Sequence, residues 1–248
     1  MKNFFLFIII YFSSISSGFA LGFDLKDKGQ INLEIGRSKT LDNNFSLPNQ
    51  SSNEINLPDK KYLNSYRLKG RLNLKNDTFL YFLYAPFATD YSFESNKIFK
   101  FDNTIFSSNK NTKVDYEFNS YRIGYFKELS YKDSFKYWIG GVLKVRDAKI
   151  RVSQDGLSDS YSNIGIVPLL GLGAEYFMSK KISLFSHIDA AGFGQGYAYD
   201  VNAEIRYKIN NKNSLGLGYR KFGGGVDNDK LMNFAKFETL YTNYSFNF

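Results

Sequence analysis

The chain has 248 residues, with 32 Lys and Arg against 24 Asp and Glu, a formal charge of +8, one histidine and no cysteine. The absence of thiols excludes a disulfide framework and thiolate metal or redox chemistry. Beyond the first twenty residues no run of about 18 uncharged apolar residues occurs, which excludes a helical inner-membrane protein.

Residues 1–20 read as a secretory signal peptide: a basic Lys2, an apolar run from Phe4 to Phe12, and small residues ending at Gly18-Phe19-Ala20. The apolar run is too short to cross a bilayer as a helix, which takes about 20 residues. The remainder, 21–248, reads as a single domain. Export turns the basic balance away from nucleic acid and toward outer-membrane lipid, anionic lipopolysaccharide head groups or acidic periplasmic partners. A mean hydropathy of -0.34 is compatible with membrane insertion, because in a barrel only every second residue meets lipid.

The first predicted strand, Gln30 to Arg37, sets Ile31, Leu33 and Ile35 against Gln30, Asn32 and Glu34. A polar stretch from Ser38 to Lys61 reads as a long loop. In the second strand Tyr66, Leu68, Gly70, Leu72 and Leu74 oppose Ser65, Arg67, Lys69, Arg71 and Asn73. After the turn Lys75-Asn-Asp77, the third strand (Thr78 to about Thr89) is apolar on both faces, so its register stays open. Residues 90–111 read as a second long loop carrying a small hairpin around Ile98 to Phe106. The fourth strand, Lys113 to Phe126, puts Tyr121, Ile123 and Tyr125 opposite Ser120, Arg122 and Gly124. A change of phase in its upper part predicts a bulge.

The fifth strand (Phe135 to Val152) places Tyr137, Ile139, Leu143 and Val145 outward, with Trp138, Lys144 and Arg146 inward. The sixth sets Ile164, Ile166, Pro168, Leu170, Leu172 and Tyr176 against Gly165, Val167, Leu169, Gly171, Gly173 and Glu175. Pro168 cannot donate to a ladder and is expected at a rim or an irregularity. In the seventh strand Ser183, Phe185, His187 and Asp189 point in, and a loop from Gly192 to Gly196 follows. The eighth opposes Tyr199, Val201, Ala203, Ile205 and Tyr207 to Asp200, Asn202, Glu204, Arg206 and Lys208. The ninth (Ser214 to Phe222) turns Gly216, Gly218 and Arg220 inward, and a loop over Gly223 to Lys230 leads to the tenth, Leu231 to Phe248. Long loops alternating with short turns, and an even count, predict an all-β transmembrane antiparallel β-barrel of about ten strands, with eight as the alternative count. In the tenth strand Leu240, Thr242, Tyr244, Phe246 and Phe248 alternate with Thr239, Tyr241, Asn243, Ser245 and Asn247, and a soluble β-sandwich would require neither this terminal aromatic alternation nor that order of connections.

The stretch Val145 to Ser158 resembles a family of small bacterial outer-membrane β-barrel proteins whose activity is uncharacterised. So do Val167-Pro-Leu-Leu170, Gly192-Phe-Gly-Gln-Gly196, Leu215-Gly-Leu-Gly-Tyr-Arg220 and Gly223-Gly-Gly-Val-Asp-Asn-Asp229 with Asn233-Phe-Ala235. The likeness covers residues 62–248, and in plan the chain is similar to outer membrane protein A-like barrels. The resemblance implies the fold and the bacterial outer membrane as its place. It also implies that Tyr244, Phe246 and Phe248 form the signal read by the barrel assembly machinery.

Inward-facing Arg67, Lys69, Arg71, Arg122, Lys144, Arg146, Arg206 and Arg220, set against Glu34, Glu175, Asp189, Asp200 and Glu204, predict a narrow lumen filled by paired charges. His187 belongs to this set. Two residues from Asp189 on one face, it invites an acid–base reading. A barrel lipase or deacylase pairs its histidine with a serine on the same strand face, but the position two residues on is Asp189 and Ser186 points the other way. No cofactor or metal is expected: no helix follows Gly192-Phe-Gly-Gln-Gly196, and Asp227-Asn-Asp229 lacks the rest of a calcium loop. The expected function is that of a monomeric, non-enzymatic barrel serving envelope integrity or surface interaction. The alternatives are a narrow anion-selective channel and an outer-rim enzyme acting on lipid A or peptide through His187.

Overall fold

The computed structural model describes residues 25–58, 62–132 and 134–248, and the expected signal peptide lies outside them. In chain order the elements are β1 (Leu25–Ser46), a single 3-10 turn η1 (Ser51–Asn53), β2 (Ile55–Asn56), β3 (Tyr62–Leu74), β4 (Thr78–Ala85) and β5 (Ala88–Ser95). They continue with β6 (Phe99–Phe101), β7 (Thr104–Phe106), β8 (Lys110–Lys132), β9 (Phe135–Gln154) and β10 (Leu157–Phe177). The last four are β11 (Ile182–Phe193), β12 (Gly196–Lys208), β13 (Asn213–Asp227) and β14 (Met232–Asn247).

Neighbouring strands pair antiparallel around a ring, β1-β3-β4-β8-β9-β10-β11-β12-β13-β14, and β14 returns to β1 from Gln30↔Asn247 to Ser46↔Met232. Short β2 extends the line of β3 along β1, and β5 extends that of β4 along β8. The barrel therefore has ten staves, not the alternative eight. Closure leaves no open edge around its base, as hydrocarbon requires.

Period-2 alternation drives this ring. Outward residues such as Ile31, Leu33, Ile35, Ile123, Tyr125, Leu143, Leu172, Ile205, Leu217 and Tyr244 are all exposed. An apolar surface of that extent suits lipid rather than water. The third predicted strand resolves the same way, with Phe79, Leu83 and Ala85 buried inside.

Strands β8, β9 and β10 have 23, 20 and 21 residues, about twice the 9–11 that a tilted strand needs to span a bilayer. The barrel wall thus rises well above the membrane, and there its two faces exchange character. Val114, Tyr116 and Phe118 of β8 point inward and are buried, while Lys113, Asp115 and Glu117 point out. With Phe45, Phe87, Phe101, Phe106, Ile150, Val152, Phe222 and Phe237 they form an apolar core inside the extramembrane section. Water, not lipid, surrounds this part, so the apolar side chains turn inward.

Several predicted boundaries need correction. The predicted bulge of the fourth strand is absent: inward and outward residues alternate without a break from Thr112 to Phe126. The change of phase was a change of surrounding solvent. A bulge does occur in β1, between Thr40 and Asp42. The predicted loop 38–61 begins with nine more residues of that strand, whose polar groups bond inside. Ser38 Oγ lies 2.7 Å from Thr239 Oγ1, and Asn43 donates to Tyr91 Oη at 3.1 Å. The third strand does not stop near Thr89. After Pro86 it resumes as β5, and Asn119 Oδ1 accepts the Phe87 N–H in the gap at 3.0 Å.

Nor are all outer connections long. Asp155 and Gly156, both at positive φ, make a two-residue hairpin turn of the type an Asp-Gly pair favours. The β11–β12 and β13–β14 connections are similarly short. Of the long outer connections, the one after β5 holds the expected small hairpin, β6–β7.

Candidate functional site

All fourteen predicted lumen residues lie on inward positions of their strands. At the centre Arg122 of β8 reaches across the barrel, with Nη1 2.6 Å from Asp189 Oδ2 and Nη2 2.8 Å from Asp200 Oδ2. Arg67 of β3 meets the same Asp200 oxygen at 2.8 Å. Arg220 of β13 stands 3.2 Å from Asp200 Oδ1 through Nε, and its Nη2 reaches Glu34 at 2.5 Å. Lys69 also contacts Glu34. The Arg220 Nε contact is an ion-pair distance without hydrogen-bond direction, so Nε itself donates to nothing. Each of these carboxylates therefore meets more than one donor, which is how buried charges are tolerated.

A second node surrounds Glu204, which accepts from Arg206 at 2.9 Å, Asn243 at 2.8 Å and Tyr241 at 3.2 Å. Glu175 accepts from Ser183 at 2.6 Å and lies 3.7 Å from Arg206. Aromatic faces support the cations: Arg71 lies over Phe79, Arg206 over Phe185 and Arg220 over Tyr241. Inward glycines make room for the large side chains. A Cβ at Gly173 would collide with Trp138, and one at Gly218 with Tyr241.

Sequence reasoning missed part of this network. Glu128, the carboxylate of Arg71 at 2.5 Å, lies beyond the predicted end of the fourth strand. One more inward position past Phe126 would have found it. Asn202, Tyr241 and Asn243 are buried on inward faces and complete the Glu204 node, and their alternation was the available signal.

His187 sits between two partners. Trp138 Nε1 donates to Nδ1 at 3.1 Å, and Nε2 lies 2.9 Å from Asp189 Oδ1. Because an indole N–H can only donate, Nδ1 is an acceptor and the ring's hydrogen points at Asp189. Tyr81, Phe126 and Trp138 enclose the ring. The residue lies at the floor of a cavity of about 440 Å³ that opens at the periplasmic end, lined by Lys69, Glu128, Trp138, Glu175 and Arg206 among others. This corrects the expected location, which was the outer rim.

Lys144 and Arg146 border the paired charges without joining an ion pair. Lys144 is the ladder partner of Arg122 across β8 and β9, Arg146 is the next inward position up β9, and both also line a separate cavity of about 380 Å³. Among the described residues neither has a carboxylate within ion-pair distance. Tyr244, Phe246 and Phe248 lie exposed on the outer face at the base of the last stave, where Phe248 and Gly29 exchange backbone hydrogen bonds of 3.0 and 3.1 Å.

A closed ten-stranded barrel with an apolar outer belt and a charged, side-chain-filled interior is a bacterial outer-membrane β-barrel, and that class gives the protein its place in the cell. No protein-family model matches the chain, and no curated protein matches it. Among solved structures, the outer membrane protease OmpT of Escherichia coli superposes with a TM-score of 0.58 at 9% identity, covering 90% of this chain and 97% of that one. Ail, the attachment invasion locus protein of Yersinia pestis, gives a TM-score of 0.41 at 14% identity, with 88% and 99% covered. Neisserial surface protein A gives 0.35 at 12% identity, with 90% and 100% covered. At such identities the likeness is one of fold alone.

Proposed function

We propose that the protein is a non-conducting, non-enzymatic, monomeric barrel that anchors a rigid platform outside the cell for surface interaction. The observation that carries this reading is the continuity of filling. The Arg122–Asp200–Arg220 network occupies the lumen within the membrane, and the apolar core occupies it above. Ten strands enclose far less space than the 16–18 of open porins. Outside, oppositely charged neighbours brace the wall just above the belt, as in Lys39–Glu238 at 3.4 Å and Lys236–Asp42 at 3.0 Å. This rim suits contact with lipopolysaccharide head groups.

Planar-bilayer recording of the purified barrel tests the reading, with silence as the expected result. Discrete anion-selective openings that shrink when Arg67 and Arg71 are neutralised would establish the narrow channel instead. Against an enzyme stand the two occupied nitrogens of His187 and the engagement of the nearby serines elsewhere, Ser183 with Glu175 and Ser186 with the Asn202 carbonyl. Replacing His187 with Ala is expected to leave the lipid A species seen by mass spectrometry unchanged.

A further inference from the structure

Strand β10 pairs with β9 along its whole length, from Leu157↔Gln154 to Tyr176↔Phe135, but with β11 only from Phe177↔Ser183 up to Leu170↔Ala190. Above that level β11 runs on to its hairpin with β12, and the facing edge of β10 has no strand partner among the described residues. The wall is therefore split by a side window. Pro168 stands at its lower corner. Within an unbroken β9 ladder a proline is tolerated where its nitrogen points away from the partner strand, here toward the window, so no amide is orphaned there. Ile164 and Ile166, at 72% and 71% exposure, are the most exposed large apolar residues of the barrel wall, and they flank the window on the lipid side.

Behind the window lies the 380 Å³ cavity, within the size range of small-ligand sites. Its mouth is apolar, between Ile166 and Pro168 on one side and Tyr197 on the other, and Lys144 and Arg146 lie within. Lys144 is 4% exposed, and its ammonium lies over the Phe118 ring, 4.8 Å from the centroid, with no carboxylate of the described residues within ion-pair distance. Arg146 donates to Asn163 Oδ1, but its buried Nε has no partner. No Asp or Glu lines this cavity, whereas the cations of the periplasmic cavity face Glu128 and Glu175. Buried cations without an anion are costly, and here the missing anion has a route in from the side.

We propose that the window admits a single-chain anionic amphiphile from the outer leaflet. Its head group binds Lys144 and Arg146, and its acyl chain lies in the apolar mouth. This assignment does not depend on whether the lumen conducts. The test measures equilibrium binding of radiolabelled hexadecanoate to the purified full chain in dodecyl maltoside, with hexadecanol and inorganic phosphate as the tail-only and head-only probes.

Saturable hexadecanoate binding is expected, weakened about tenfold or more by the double substitution K144M/R146Q because the head group loses both charges. Ala191→Phe, which fills the cavity without altering charge, should weaken binding similarly, and inorganic phosphate should not displace the fatty acid. Heat-dependent gel migration reports whether each variant is folded. If the double variant fails to fold, Ala191→Phe and the single Lys144→Met decide. The proposal is overturned by no saturable binding, by binding unchanged in every folded variant, or by hexadecanol bound as tightly as hexadecanoate. Displacement by inorganic phosphate would also overturn it, by identifying a free-anion site.

Discussion

Arg122 is the residue on which the lumen turns, because it separates Asp189 and Asp200, which project inward at paired positions of adjacent strands. Without its guanidinium those buried carboxylates would face one another with less compensation. Arg122→Met is therefore expected to destabilise the barrel by about 3–5 kcal/mol, the usual cost of leaving one side of a buried pair behind. Urea unfolding in lipid vesicles measures this, and adding Asp200→Asn to the variant should recover part of the loss. An Arg122→Met protein as stable as the parent would show that the network does not support the fold. Inward parity made Arg122, Asp189 and Asp200 legible as lumen residues. Which cation meets which carboxylate was not, since Arg67 and Asp200 lie far apart in the chain and meet only across the closed ring.

At the scale of elements, the β6–β7 hairpin is fastened to the barrel wall by a carboxylate. Asp159 near the top of β10 accepts the Asn103 N–H at 3.0 Å and the Ser160 N–H at 2.8 Å. Desolvation pushes its carboxyl up, but these amide donors outweigh it and hold the pKa below its ordinary value of 3.8. A depressed folded-state pKa means that the contribution is present above 3.8 and is lost as pH falls through the lowered value. Amide exchange over residues 99–106 should accordingly accelerate below that pH while the belt strands stay protected. Asp159→Asn should remove this pH dependence. The hairpin itself could be read from the sequence, but its anchor could not, because Asp159 looks like one more polar loop residue. The same limit explains the fourth strand: alternation announces which face is apolar, but not whether lipid or another strand covers it.

For the whole molecule, the upper core couples the outer platform to the membrane barrel. Phe237 is fully buried there, with its ring centroid 4.6 Å from Phe87 and 5.2 Å from Phe222. Phe237→Ala is expected to cost about 3–5 kcal/mol. Protease added to intact cells should then cut the outer hairpins faster while the protein remains inserted. Equal resistance of parent and variant would mean that the platform stands without this core. By itself the sequence determined the class and the lipid-facing belt and narrowed the strand count to about ten, because strand alternation has a period of two residues and each stave carries its own record of its surroundings. Only the tertiary structure decided that ten staves rather than eight close the ring, which lumen cation meets which carboxylate, that His187 lies at the periplasmic end and that a window parts β10 from β11. Those features depend on ring closure and strand stagger, which bring together residues that no local pattern relates.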